Sequence, residues 1–356
     1  MNSSWAFLFG DDSRTLRTKV VGVYAALVAA NAAVWIWAIS CARQFPVILG
    51  IAALAYSLGL RHAFDADHIA AIDNATRKLM QEGKRPIGVG LFFSLGHSTI
   101  VVGLTIAIAV AITTTALHGE LASLKTMGGV IGALVSSLFL FAIAFANALV
   151  LRALYGTFRA VKNGEGFVEE DLDLALSKRG ALGRPFRGFF RLIERSWQMY
   201  PLGLLFGLGF DTAAEVGILG VSATQASEQL PVWNILIFPA LFTAAMTLLD
   251  TTDNLLMLGA YGWASVKPVR KLYYNLTITA VSVLVAVLVG GLQALNLIGA
   301  QFGLADRGGF FSLIAAMNEN FGVLGLCIVG IFVLCWVVSY GVYRARGYDE
   351  IGAVAK

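Results

Sequence analysis

The stretch Arg61-His62-Ala63-Phe64-Asp65-Ala66-Asp67-His68 sets two imidazoles, two carboxylates and a guanidinium within eight residues. Asp73 follows it, and later segments add His97, the pair Asp211 and Glu215, and the group Asp250, Asp253 and Asn254. Carboxylate oxygens bring charge to a divalent cation, and neutral imidazole nitrogen selects first-row transition metals such as Ni, Co, Cu or Zn over Mg and Ca. Cys41, Cys327 and Cys335 lie in apolar stretches with no C-x-x-C spacing. Thiolates are therefore missing from the cluster, which disfavours Cu(I), structural zinc and a disulfide framework.

The elements around these groups are apolar. Of 356 residues 58% are hydrophobic and 13% charged, with a mean hydropathy of +0.75, where soluble domains run near 45–50% apolar and about 25% charged. A soluble globular enzyme is excluded. Apolar runs predict an all-α polytopic membrane protein, one membrane domain over residues 1–356, with eight transmembrane helices at about 20–42, 47–74, 87–112, 127–151, 200–224, 234–261, 272–298 and 319–343. The polar first residues lead into an apolar stretch too long for a signal-peptide core, which reads as a retained first helix.

Eight spans put both termini on one side. With the termini cytoplasmic, 22 of the 26 Lys and Arg fall on the cytoplasmic side; Arg43, Lys125 and Arg307 fall opposite and Arg61 lies within a span. That asymmetry is the positive-inside pattern. The long cytoplasmic loop 152–198 interleaves Arg184, Arg187, Arg191 and Arg195 with aromatics, as an interfacial helix on the inner leaflet would. It predicts a lipid partner and no nucleic-acid module. His118 falls in a predicted outer loop and is expected to be solvated.

Ionisable groups in the hydrocarbon region cost a few kcal/mol each and line cavities or pathways. The bland alternative, interhelical hydrogen-bond glue, suits any single residue here better than the concentration of them. At about 100° per residue, Asp65 projects between His62 and His68 on one face, and Asp73 returns near that face. Asp67 points away at roughly 140°, as an interhelical partner or one that orients a ligand. Arg61 is placed to partner Asp65 or a carboxylate on another helix. The rise from His62 to His68 is about 9 Å on an ideal helix, too long for two histidines to grip one metal easily. The spacing favours a helix broken there, as in transporters around their substrates, over histidines serving successive ion positions. Asp211 and Glu215 share a face at i,i+4, and two carboxylates that close repel unless a cation or proton sits between them. Gly203, Gly207 and Gly209 just before them permit close helix approach or a kink. Asp250, Asp253 and Asn254 share a face of the sixth predicted span.

The string from Arg61 to Ile69 resembles the H-x4-D-H signature of the nickel/cobalt transporter family, secondary permeases for Ni²⁺ and Co²⁺. The blocks Phe93-Ser94-Leu95-Gly96-His97-Ser98-Thr99, Leu208-Gly209-Phe210-Asp211-Thr212-Ala213-Ala214-Glu215 and Leu248-Leu249-Asp250-Thr251-Thr252-Asp253-Asn254 are similar to that family's other blocks, in the same order. Ala214 departs from the commoner Thr. The resemblance covers residues 20 to 343 and implies eight helices with cytoplasmic termini. It implies high-affinity uptake of Ni²⁺, Co²⁺ or both in the bacterial cytoplasmic membrane, with His62, Asp67 and His68 essential and His97 participating. It also implies that Asn31, His62 and the variable position Phe64 bear on metal choice.

The resulting expectation is a carrier with no cofactor, whose metal set is His62, Asp65, Asp67, His68 and His97. Asn31, Arg61, Phe64, Asp73, Asp211, Glu215, Asp250, Asp253 and Asn254 line the pathway or support the ligands. No G-x-x-x-x-G-K-[ST] loop is present, so the chain does not hydrolyse ATP itself and no ATPase subunit is implied. Uptake should weaken on acidification, because ligand histidines must be neutral. A homo-oligomer is left open. Two rivals are metal efflux, although the 152–198 loop lacks the histidines such exporters carry, and an intramembrane metalloenzyme, although H-E-x-x-H is missing.

Overall fold

The computed structural model describes residues 13–113, 118–162, 193–209, 212, 232–264, 268–304 and 309–345. Among these residues all regular structure is helical: α1 (Ser13–Ala42), α2 (Val47–Ala63), α3 (Ala66–Gln81), α4 (Val89–Thr113), α5 (His118–Lys162), α6 (Met199–Phe206), α7 (Ile237–Ala264), α8 (Pro268–Gln301), α9 (Phe310–Glu319) and α10 (Phe321–Ala345), with short 3-10 turns before α6 and α7. Five helices are long and apolar enough to cross a membrane, and the number rises to seven if the bent pairs α2–α3 and α9–α10 each count as one span. The chain is thus a multi-pass membrane protein. The fifth predicted span, 200–224, is described only through α6, the turn at 207–209 and Thr212.

The second predicted span, expected as one helix over 47–74, is two helices meeting at 52° and running on to Gln81. Phe64 leaves the helical register, and Asp65 turns extended at φ −63°, ψ 142°. A new helix start leaves N–H groups without helical acceptors, and aspartate is a preferred residue there. Asp67 Oδ1 accepts one such bond, from the His68 N–H at 2.9 Å. The break expected from the histidine spacing falls at Phe64 and Asp65, and Asp67 gives the new helix start one side-chain acceptor.

Other boundaries also move. α5 extends the fourth predicted span at both ends, into the predicted 152–198 loop and back to His118, which opens the helix instead of lying in a loop. The last predicted span gains α9, joined to α10 at 80°. Of the predicted interfacial helix only its last residues are described; there Ile193 is buried and Trp197 exposed.

The bundle is built with its polar helix inside. α3 is the least apolar of the spanning pieces, yet Ala66 and every residue from His68 to Leu79 are buried. α7 packs against α1, α2, α3 and α4, while α8 packs against α3, α5, α9 and α10. Exposed Val21, Ile36, Leu288 and Leu334 face outward, as apolar side chains in contact with lipid should. Several glycines permit close helix approaches, Gly203 and Gly325 among them. A Cβ at Gly203 would run into the Phe93 carbonyl, so α6 lies directly on α4, as the glycine run predicted; one at Gly325 would strike the Phe64 carbonyl, so α10 sits on the α2–α3 break.

Candidate metal centre

The break returns His62, at the end of α2, to face His68, in the first turn of α3. α4 brings His97 to both. The three rings stand with centroids 4.7–4.8 Å apart, and one ring nitrogen from each lies within 4.8 Å of the others. His62 Nε2 and His97 Nε2 are 3.0 Å apart. Metal–nitrogen bonds of about 2.0–2.1 Å put two ligand nitrogens roughly 3 Å apart. The His62–His97 spacing already suits a shared ion, and His68 has to close the remaining gap. All three rings are nearly inaccessible, at 1–3% exposure, and Phe93 packs edge-on against His68.

Two carboxylates stand beside the imidazoles. Asp250 Oδ2 is hydrogen-bonded to His68 Nδ1 at 3.1 Å while also accepting the Ser94 hydroxyl at 2.6 Å, whereas Asp65 Oδ2 lies 3.0 Å from His62 Nδ1 as an ion-pair contact without hydrogen-bond geometry. An Nδ1–H donated to a carboxylate leaves Nε2 with its lone pair facing the centre, the arrangement that orients metal-binding histidines and raises their basicity. His97 has no carboxylate on Nδ1 among the described residues; its Nε2 meets the Thr212 hydroxyl at 3.0 Å. Asp250 thus orients the His68 ring, and Asp65, expected among the ligands, stands beside His62 at the edge of the histidine group.

Asp67 points to the other side of α3, as helix geometry predicted. Its Oδ2 accepts the Gln293 side-chain amide at 2.9 Å, and Gln293 Oε1 accepts the Ser136 hydroxyl at 2.5 Å. This chain borders a cavity of about 150 Å³ whose wall includes His62, His97, Asp65, Asp67, Asn296 and Asn318. Gln293 and Asn296 stand i,i+3 in the apolar seventh predicted span. That pair of amides in a lipid-compatible run was a readable signal, and the sequence reading passed over it.

The remaining predicted residues divide. Asn31 ties α1 to the carbonyls of Leu27 and Ala244 and accepts the Tyr56 hydroxyl; it does not line the cavity. Asn254 joins α7 to Thr76 and to the Pro86 carbonyl, the packing role weighed as its alternative. Arg61 is exposed and lies with Asp65 against Gly322. Phe64 packs partly buried against the core around α3. Asp253 is half-buried on α7 and has an Oδ2 with no hydrogen-bond partner among the described residues. Asp211 and Glu215 lie outside the described residues.

Asp73 is fully buried with the Arg77 guanidinium 3.5 Å away. Arg77 was counted with the cytoplasmic charges, but it is 1% exposed and donates to Asn74 Oδ1, which also accepts from Asn147 on α5. Its position four residues after Asp73 on one helix face was the available clue.

The fold defines a multi-pass membrane protein, and comparison with known proteins supplies its family. The chain belongs to the high-affinity nickel-transport protein (NicO) family, whose pattern matches residues 48–342. It is 57% identical to a high-affinity nickel transport protein of Cupriavidus necator, with 94% of both chains covered. It is 41% identical to the high-affinity nickel-transport protein NixA of Helicobacter pylori strain J99, over 83% of this chain and 88% of that one. It is also 41% identical to the cobalt transport protein NhlF of Rhodococcus rhodochrous, over 81% of each. No solved structure matches. Family membership makes this chain a transporter and not an enzyme, with the metal as cargo and no cofactor indicated.

Proposed function

We propose that this chain takes up nickel, cobalt or both across the bacterial cytoplasmic membrane as a secondary carrier, within one membrane domain of eight spans with cytoplasmic termini. His62, His68 and His97 bind the dehydrated ion, Asp250 holds the His68 ring in register, Asp65 stands beside His62, and Asp67 acts from the cavity side. Asp73 and Asp253 continue the path inward, and Asp211 and Glu215 belong to it in the fifth span. Similarity to high-affinity nickel and cobalt transport proteins supports metal transport, the charge asymmetry supports the orientation, and the lack of a phosphate-binding loop supports gradient coupling.

The observation that carries the reading is the convergence of three buried imidazoles, two of them beside buried carboxylates, at the broken span. Such a donor set binds Cu²⁺ more tightly than Ni²⁺ by intrinsic preference, so discrimination rests on geometry and supply. The test is accumulation of radiolabelled nickel in cells expressing the wild type, His62→Ala and His68→Ala. The wild type should accumulate metal and both variants should lose at least about tenfold, the lower end of ligand-shell effects. Depletion of metal by the wild type would reverse the direction, and full uptake by both variants would remove the ligand assignment.

A further inference from the structure

We infer that the cavity bordered by α3, α5 and α8, with His62 and His97 in its wall, first docks the fully hydrated divalent ion, holding it through coordinated water before the histidines strip that water away. The inference rests on the transport reading above and adds a binding step to it.

Size, charge and chemistry of the wall agree on this occupant. One water needs about 10–15 Å³ of such space, and the 150 Å³ present is many times that, room for an ion together with coordinated water. A bare ion would rattle in it. The described wall holds two carboxylates, Asp65 and Asp67, and no Lys or Arg. Asp65 is 4% exposed, and its Oδ1 has no hydrogen-bond partner among the described residues. Asp67 is clamped differently: one oxygen accepts the His68 backbone N–H and the other the Gln293 amide. A carboxylate so held keeps lone pairs free in a fixed direction and suits acceptance from metal-bound water, whose hydrogens are unusually strong donors.

The amides of Asn296 and Asn318 add acceptors around the same space, while the imidazoles of His62 and His97 stand in one wall. A hydrated ion thus meets oxygen acceptors and a nitrogen pair together, and each water lost can be replaced by a ring nitrogen without the ion leaving the cavity. Gln293, steadied by Ser136, is a positioning residue acting through Asp67. The lining falls in the N-terminal half of α5 and the C-terminal half of α8, which is the outer side in the proposed orientation.

Hexaamminecobalt(III) tests this directly, because it matches a hexahydrated ion in shape, donates hydrogen bonds and does not exchange its ligands for imidazole. With purified full-length protein in detergent, calorimetry should show the complex binding, and in proteoliposomes it should inhibit nickel uptake competitively. Nickel ligand-field absorption reports the histidine centre separately. His68→Ala keeps the backbone N–H that holds Asp67, so it should lose the nickel bands and still bind the complex. Asp67→Asn and Gln293→Leu should weaken the complex at least about tenfold, as expected for loss of a charge-assisted hydrogen bond, while Gln293→Leu still forms nickel bands at saturating metal. Ser136→Ala supplies a milder variant in the same direction should either fold poorly.

No binding and no inhibition in the wild type, or unchanged binding in both Asp67→Asn and Gln293→Leu, would overturn the docking site. Binding of the complex by a wild type that shows no nickel bands overturns the histidine assignment instead and leaves the cavity as the ion site.

Discussion

His68 and Asp250 are 182 positions apart in the chain and 3.1 Å apart in space, with both side chains 1% exposed. That contact joins the first turn of α3 to the middle of α7, and Ser94 on α4 closes on the same carboxylate oxygen. Three helices are therefore pinned at the atom that sets the tautomer of one imidazole.

Asp250→Asn keeps the volume but can present its amide nitrogen to His68 as easily as its oxygen. Loss of a carboxylate behind a metal-binding histidine typically costs 10–100-fold in affinity. Nickel uptake by Asp250→Asn should show an apparent KM raised by about 10–100-fold at unchanged membrane abundance; a KM within twofold of wild type would show that the contact is only packing.

Arg77 and Asp73 form a charged pair in the interior of the bundle. Removing one partner of such a pair costs about 3–5 kcal/mol, whereas replacing both can be close to neutral. Arg77→Met should lose most of its folded yield and melt well below wild type in detergent. The double variant Arg77→Met with Asp73→Asn should recover a large part of that loss, and a double variant no better than the single one would contradict the pairing.

Tyr56 donates its hydroxyl to Asn31 Oδ1 at 2.9 Å, linking α2 to α1, and Asn31 in turn holds α7. Since Asn31 does not border the cavity, any influence on metal choice must pass through the helices it ties, α2 and α7. Tyr56→Phe removes about 1 kcal/mol of hydrogen bonding and should shift the nickel-to-cobalt uptake ratio in the same direction as Asn31→Ala. A ratio altered by Asn31→Ala alone would show that the hydroxyl plays no part.

Much of this site was legible in the sequence. His62, Asp65 and His68 announced themselves because ionisable residues are conspicuous against apolar neighbours, and a 3.6-residue period could be applied to them. The same geometry favoured a distorted helix, which is found, and turned Asp67 from His68; the break nonetheless leaves Asp67 lining one cavity with His62 and His97. Gln293 and Ser136 were passed over because an amide or hydroxyl in a membrane helix is ordinarily satisfied by its neighbours. The burial of Arg77 was missed for a different reason. Hydropathy averages over a window, so it ends a span where charge begins and cannot show that α3 is sheltered by other helices instead of by lipid.

At the end of α3, burial alone would push the Glu82 carboxyl up, but the hydrogen bond from Lys84 and the nearby Lys78 charge outweigh it and hold it below the ordinary glutamate range. Lys78 and Lys84 also donate to the carbonyls of Ile193 and Glu194. A depressed carboxyl contributes stability that is present above its unfolded pKa and lost as pH falls through its folded pKa. Glu82→Gln should therefore melt a few degrees lower than wild type near neutral pH, with a gain of at most about 1 kcal/mol at stake. The two curves should converge in acid, and a gap that persists there would point to packing instead of charge.

The seat of Gly325 beneath the Phe64 carbonyl sets the backbone of α10 directly against the α2–α3 break. A shift of α10 toward the break would press on that carbonyl, because no side chain stands between the two backbones. Movement of the final helix would thus be handed straight to the hinge between His62 and His68, spreading or closing the grip on the cargo without any lever through the side chains.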